Sequence, residues 1–180
     1  MPSSSRAGPA AFLLLLAAVA LAACSLTFNW REVPIGDGGL IALLPCKPDR
    51  ASRALPLGTE AVNVEMAGCE AGGATFAVAH ARAADAAQAE AWLGAWRAAT
   101  RTQLAGVTAQ ESVGVVSRAA LQPAPVRLDA GDRNGPGPAA RVLWFAQWRA
   151  GGVSIYQATV LGTPANAEAV TTFFEGLRLP

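Results

Sequence analysis

The chain has 180 residues, with 14 lysines and arginines, 13 aspartates and glutamates and one histidine, for a formal net charge of +1. That length suits a single domain able to bury a sizeable core. The near-neutral balance, without a basic stripe, argues against a nucleic-acid partner.

At the N-terminus, residues 1–11 hold one charged side chain, Arg6, and an apolar run follows over 12–23. This is the pattern of a signal peptide, a basic n-region and then an h-region. It falls short of the about 20 apolar residues of a spanning helix. The run ends in Leu21-Ala22-Ala23-Cys24, which resembles the bacterial lipobox: an aliphatic residue, two small residues, then cysteine. The resemblance implies removal of residues 1–23 and acylation of the Cys24 thiol, giving a lipoprotein held on the membrane by that cysteine. One acyl chain anchors only marginally, so stable attachment needs more than one. Bacterial lipoproteins carry two or three. Ser25, rather than aspartate, follows the cysteine, which in the enteric sorting pattern favours the outer membrane, facing the periplasm, over the inner membrane. Loss of Arg6 balances basic and acidic side chains in the mature chain. No polybasic segment follows the anchor, so the lipid has to hold the membrane by itself.

Cys46 and Cys69 remain, an even pair in an oxidising compartment. A disulfide between them is expected, and the bland alternative is two free buried thiols. A metal site is disfavoured, since there is no Cys-x-x-Cys and His80 is the single histidine.

The elements follow in order. Residues 24–38 read as a tether from the anchor, ending in the turn Gly36-Asp37-Gly38-Gly39. Residues 40–44 form a short apolar strand closed by Pro45. Residues 49–60 are polar and read as loop. Residues 61–66 and 74–81 alternate and read as a hairpin with a longish loop. A helix is expected over 85–105, with Asp85 and Gln88 as a capping box. Its stripe comprises Trp92, Leu93, Trp96, Ala99, Thr100, Gln103 and Leu104, and Gly106 marks its stop. Two tryptophans one turn apart could cradle a ligand, but on an amphipathic helix core packing is the expectation. Residues 113–116 and 126–128 read as short strands, and 129–138 as an exposed loop. Residues 141–148 and 153–161 form a central hairpin with apolar groups on both faces. A final helix over 164–176 is expected, capped by Thr163 with Pro164 at its first position, its stripe formed by Val170, Phe173, Phe174 and Leu177.

The resulting fold class is α+β: one domain, 39–180, with an antiparallel sheet and two amphipathic helices packed on it. In its arrangement it resembles the Mog1/PsbP-like α/β/α sandwich, and also the many lipoproteins of proteobacteria that lack an assigned role. Neither resemblance carries catalytic residues.

Catalytic templates find little support. There is no Gly-x-Ser-x-Gly. Leu44 stands where Ser-x-x-Lys would need serine before Lys47. Gly72-Gly73 leads into a strand rather than a helix, so it is not a phosphate loop. No catalytic residue, cofactor or metal is assigned. His80 has two readings: a titrating group that gates a contact, or an edge histidine resting its ring beside Phe76 and Val78 with its nitrogens in water. The second is expected. The function expected is a non-catalytic envelope lipoprotein that binds or supports another periplasmic or outer-membrane component, with a protein as partner. The alternatives are a cell-wall or glycan hydrolase working through scattered carboxylates, and a small-ligand carrier.

Overall fold

The computed structural model describes residues 27–131 and 139–180. The expected signal peptide, Cys24 and most of the expected 129–138 loop lie outside the described residues.

Glycines at 36 and 39 take positive φ, +56° and +76°, and turn the chain between two short strands. These are β1 (Arg31–Ile35) and β2 (Leu40–Leu44), which pair antiparallel as a separate two-stranded sheet. The tether expected over 24–38 is therefore partly strand. Val33 and Ile35 alternate into the core, and Pro34 is tolerated because the hairpin is only two strands wide.

The main sheet has seven strands: β3 (Asp49–Leu57), β4 (Glu60–Ala71), β5 (Ala74–Ala83), β6 (Ala109–Val113), β7 (Val126–Ala130), β8 (Ala140–Arg149) and β9 (Gly152–Gly162). Their order is β3-β4-β5-β9-β8-β7-β6, with every neighbour antiparallel. β8, β9 and β5 form the centre. Residues 49–60 are mostly strand rather than loop: β3 is an edge strand whose side chains are almost all exposed, so it carries no apolar alternation. The β4–β5 hairpin is tighter than expected, because both strands run on to a two-residue turn at Gly72-Gly73. The short strand expected over 113–116 lies earlier, at Ala109–Val113.

Helix α1 (Ala86–Gln103) covers one sheet face. Its start is as expected: the Asp85 carboxylate accepts from Gln88 N, and the Gln88 side chain accepts from Ala84 N. Trp92, Leu93, Trp96 and Thr100 are buried, while Ala99 and Gln103 are exposed because the interface follows a narrower stripe. The layer beneath holds Val62, Val64, Val142, Trp144 and Ile155.

The opposite face is covered by the β1–β2 hairpin and by helix α2 (Glu168–Glu175). This helix starts four residues later than expected. Thr163 does not cap it; the Asn166 side chain accepts from Glu168 N instead. Phe173, Phe174 and Leu177 are buried, and Phe173 meets Phe76 edge-on at 5.5 Å. The architecture is thus an α+β sandwich: helix, antiparallel sheet, then hairpin and helix. None of the described helices is long and apolar enough to cross a membrane.

Candidate functional site

Cys46 and Cys69 form the expected disulfide. It joins the segment after β2 to β4, and so ties the small hairpin to the main sheet. Cys24 lies outside the described residues.

His80 departs most from its sequence reading. It sits on β5 in the sheet interior, 4% exposed, directly opposite Tyr156 on β9. The two rings lie 5.0 Å apart, and Tyr156 stacks in turn on Phe145 at 5.0 Å. The turn between β1 and β2 lies on this row. A Cβ at Gly36 would overlap the His80 ring at Nδ1, and one at Gly38 would overlap the Tyr156 hydroxyl. Glycine is required at both positions so that backbone can rest on the polar groups below. Asp37 projects between them. Its Oδ1 lies 3.8 Å from His80 Nε2, and its Oδ2 lies 3.3 Å from the Arg82 guanidinium. Arg82 also donates to the Ala150 carbonyl at 2.6 Å.

Three polar atoms under this turn, His80 Nε2, Ser154 Oγ and Tyr156 Oη, are buried; the Ser154 and Tyr156 hydroxyls lie within reach of each other, whereas His80 Nε2 has no hydrogen-bond partner in the protein. Burial lowers the pKa of His80, an effect that nearby Asp37 and Glu65 only partly offset. Burial likewise raises that of Tyr156. Both groups are held in their neutral forms. An unpaired buried polar atom such as His80 Nε2 is disfavoured by about 1–3 kcal/mol, which sets it apart from the apolar layer around it.

The cluster opens sideways. β4 pairs with β5 only as far as Glu65–His80. Past that pair, β4 runs back to Glu60 beside β3, and β5 runs on to Ala83 beside β9. The fork between them is a cleft of about 360 Å³ whose walls include Asp37, Glu60, Glu65, His80, Arg82 and Trp92. Glu60 accepts from the Trp92 indole at 3.2 Å, which steadies that wall. Histidine's position on a strand is legible in the sequence. Its cover is not, since the Gly36–Gly39 turn reads only as a turn.

At the far edge of the sheet β6, the last strand, pairs on one side only, with β7. Val113 at its end is 82% exposed, and Val115 and Leu121 in the segment that follows are 87% and 86% exposed, Leu121 lying next to Ala120, whose backbone N–H donates to Ala146 of β8. At the other edge, β3 carries charged residues and Pro56, devices that discourage further pairing.

Three acidic side chains elsewhere are held by arginines. Glu111 pairs with Arg97 and Arg101, Asp129 with Arg127 and Arg141, and Glu32 with Arg178. Burial pushes the Glu111 pKa up, but its two arginines outweigh that and hold it below the usual carboxylate value. Among the described residues, no three histidine, cysteine or acidic side chains converge closely enough to hold a metal ion. Compared with known protein families and with curated proteins, the chain finds no match in either.

Proposed function

We propose that this protein is a non-catalytic lipoprotein of the bacterial envelope that binds or supports another component, a protein, near the membrane. In this reading the chain is anchored through Cys24 and faces the periplasm, with the outer membrane favoured. The N-terminal pattern supports the anchor. The observation that carries the binding role is the exposure of Val113 at the end of β6, whose other side is unpaired, and of Val115 and Leu121 in the segment after it. Both faces of the sheet are filled by packed side chains, so these valines and this leucine are left over from the core. Exposed apolar groups next to a free strand edge suit an extended segment of a partner added to the sheet, with backbone hydrogen bonds for affinity and apolar side chains for selectivity. The Mog1/PsbP-like arrangement fits such a role without specifying it.

The test is site-directed photo-crosslinking in intact cells. A crosslinking residue at position 115 is expected to trap one discrete product, and the same residue at exposed Glu90 on α1 is not. Adding Val113→Asp should abolish the product while leaving the protein folded and membrane-bound. If position 115 gives no product, or the same products as position 90, the edge is not a binding surface.

A further inference from the structure

The fork between β4 and β5 has the features of a second site, independent of the β6 edge. Three strands, β9, β8 and β7, separate the two places. The walls of the cleft carry three carboxylates, Asp37, Glu60 and Glu65, against one guanidinium, Arg82. With His80 neutral, the cleft holds an excess of negative charge, which attracts cations and repels anions. The wall also presents an unmet acceptor. His80 Nε2 is buried and unpartnered, and Asp37 Oδ1 faces it at 3.8 Å. That gap is too long for a hydrogen bond between them. A donor nitrogen at ordinary hydrogen-bond distance from each would bridge it, once Asp37, which is mostly in solvent, swings aside to admit the group. Asp37 is tied through its other oxygen to Arg82, which keeps the carboxylate near the histidine.

The chemistry of the donor can be narrowed. The carboxylates are spread around the cleft rather than converged, and no three such side chains among the described residues come close enough for a metal ion. A guanidinium demands a planar pair of acceptors. An ammonium carries three donors pointing in different directions and is satisfied by acceptors on separate walls. Val62 and Trp92 also line the cleft; both are 7% exposed, so only their edges meet a methylene stem. We propose that the β4–β5 fork binds a primary alkylammonium group, its nitrogen seated between His80 Nε2 and Asp37 Oδ1 and its charge shared with Glu65. His80 then acts as an acceptor at Nε2, with its proton on Nδ1 beside Gly36. Two sources share this chemistry: a lysine side chain in a polypeptide, and a small free amine.

His80 is the single histidine, so its imidazole can be followed alone by nuclear magnetic resonance. The experiment uses the untagged lipoprotein in detergent micelles, with isotope-labelled histidine. The probes are cadaverine and an end-blocked Gly-Lys-Gly peptide. The controls are pentanediol and the same peptide with its lysine acetylated. A saturable shift of the imidazole signals is expected with an ammonium probe and not with the controls. Binding of the peptide assigns the source to a lysine side chain; binding of cadaverine alone assigns it to a free amine. Asp37→Asn and Glu65→Gln, both at exposed positions, should each weaken binding by about tenfold, as for loss of a charge-assisted contact. Val113→Asp should leave it unchanged, which keeps this result separate from the β6 edge. The proposal is overturned if neither ammonium probe moves the signals, if the neutral controls move them equally, or if Asp37→Asn has no effect. Those outcomes leave a cleft that holds only water.

Discussion

His80 Nε2 and Asp37 Oδ1 face each other across 3.8 Å, one from a central strand and the other from the turn laid over it. The histidine is almost wholly enclosed and its carboxylate neighbour is mostly in water. That asymmetry explains why burial outweighs the attraction of Asp37 and lowers the histidine's pKa.

A pH dependence follows, and its sign is fixed. In the unfolded chain the imidazole takes up a proton near about pH 6.5. In the folded protein it does so only at a lower pH. Between those values the unfolded state binds more protons, so stability falls as the pH drops and is flat above the window. One proton gives at most about 1.4 kcal/mol per pH unit. Glu111 acts separately and at lower pH: its folded pKa is depressed, so its contribution is lost only as carboxylates protonate. Urea unfolding midpoints measured from about pH 8 to pH 5, around the imidazole range, should decline in the wild type. The decline should be much reduced in His80→Gln. Equal slopes in the two proteins would show that His80 is not the group responsible.

The disulfide should matter more than its single bond suggests. The β1–β2 hairpin is not part of the main ladder. Besides packing, it is held by Cys46–Cys69, by the Arg50 side chain donating to the Pro34 carbonyl, and by the reciprocal backbone pair between Ile41 and Arg178. The bond spans a sequence separation of 23, for which chain entropy alone gives about 3 kcal/mol. Reduction, or Cys46→Ser with Cys69→Ser, should lower stability by about 2–4 kcal/mol. Denaturation with and without reductant measures this. An unchanged midpoint would mean that packing and these hydrogen bonds hold the hairpin without the disulfide.

Helix α1 gives a calibrated pair. Trp96 is buried between the helix and the sheet, and Trp96→Ala should cost about 3–5 kcal/mol. Asp85 lies in solvent, and its contribution comes from accepting the Gln88 backbone proton. Asp85→Ala should therefore cost only about 1 kcal/mol. Thermal or chemical unfolding of both variants checks the order. A cap loss equal to the core loss would place Asp85 in some further contact.

These elements also show what the sequence reveals and what it hides. α1 is legible because cap, stripe and stop coincide: Asp85 with Gln88, the two tryptophans, and Gly106 with its φ of +89°. The β8–β9 hairpin is legible because both its faces are apolar. β3 is not legible: Asp49 to Ala54 are exposed on both faces, and only pairing with β4, a non-local fact, makes them a strand. In β1, Val33 and Ile35 carry the alternation, and Pro34 masks it. Trp148 follows the alternation of Trp144 but is 55% exposed, and no local pattern separates the two. The cleft is hidden for a related reason. No local pattern tells that Asp37 will meet His80, or that β4 will leave β5 after Glu65.

The last prediction concerns the anchor, and it rests on the sequence alone. In the proposed lipoprotein reading, the lipobox-like Leu21-Ala22-Ala23-Cys24 needs its thiol for acylation. Cys24→Ala should abolish labelling by a fatty-acid analogue and shift the protein from the membrane fraction to soluble or unprocessed material. Labelling should be lost completely, and any chain from which residues 1–23 have been cut should leave the membrane fraction, because no basic cluster follows Cys24 to keep a delipidated chain at an anionic surface. Wild-type fractionation should also resist high salt, since a lipid anchor depends on buried methylenes rather than on charge. If Cys24→Ala labels and fractionates like wild type, the protein is held by something other than that cysteine. The reading of an anchored envelope module then loses its first support.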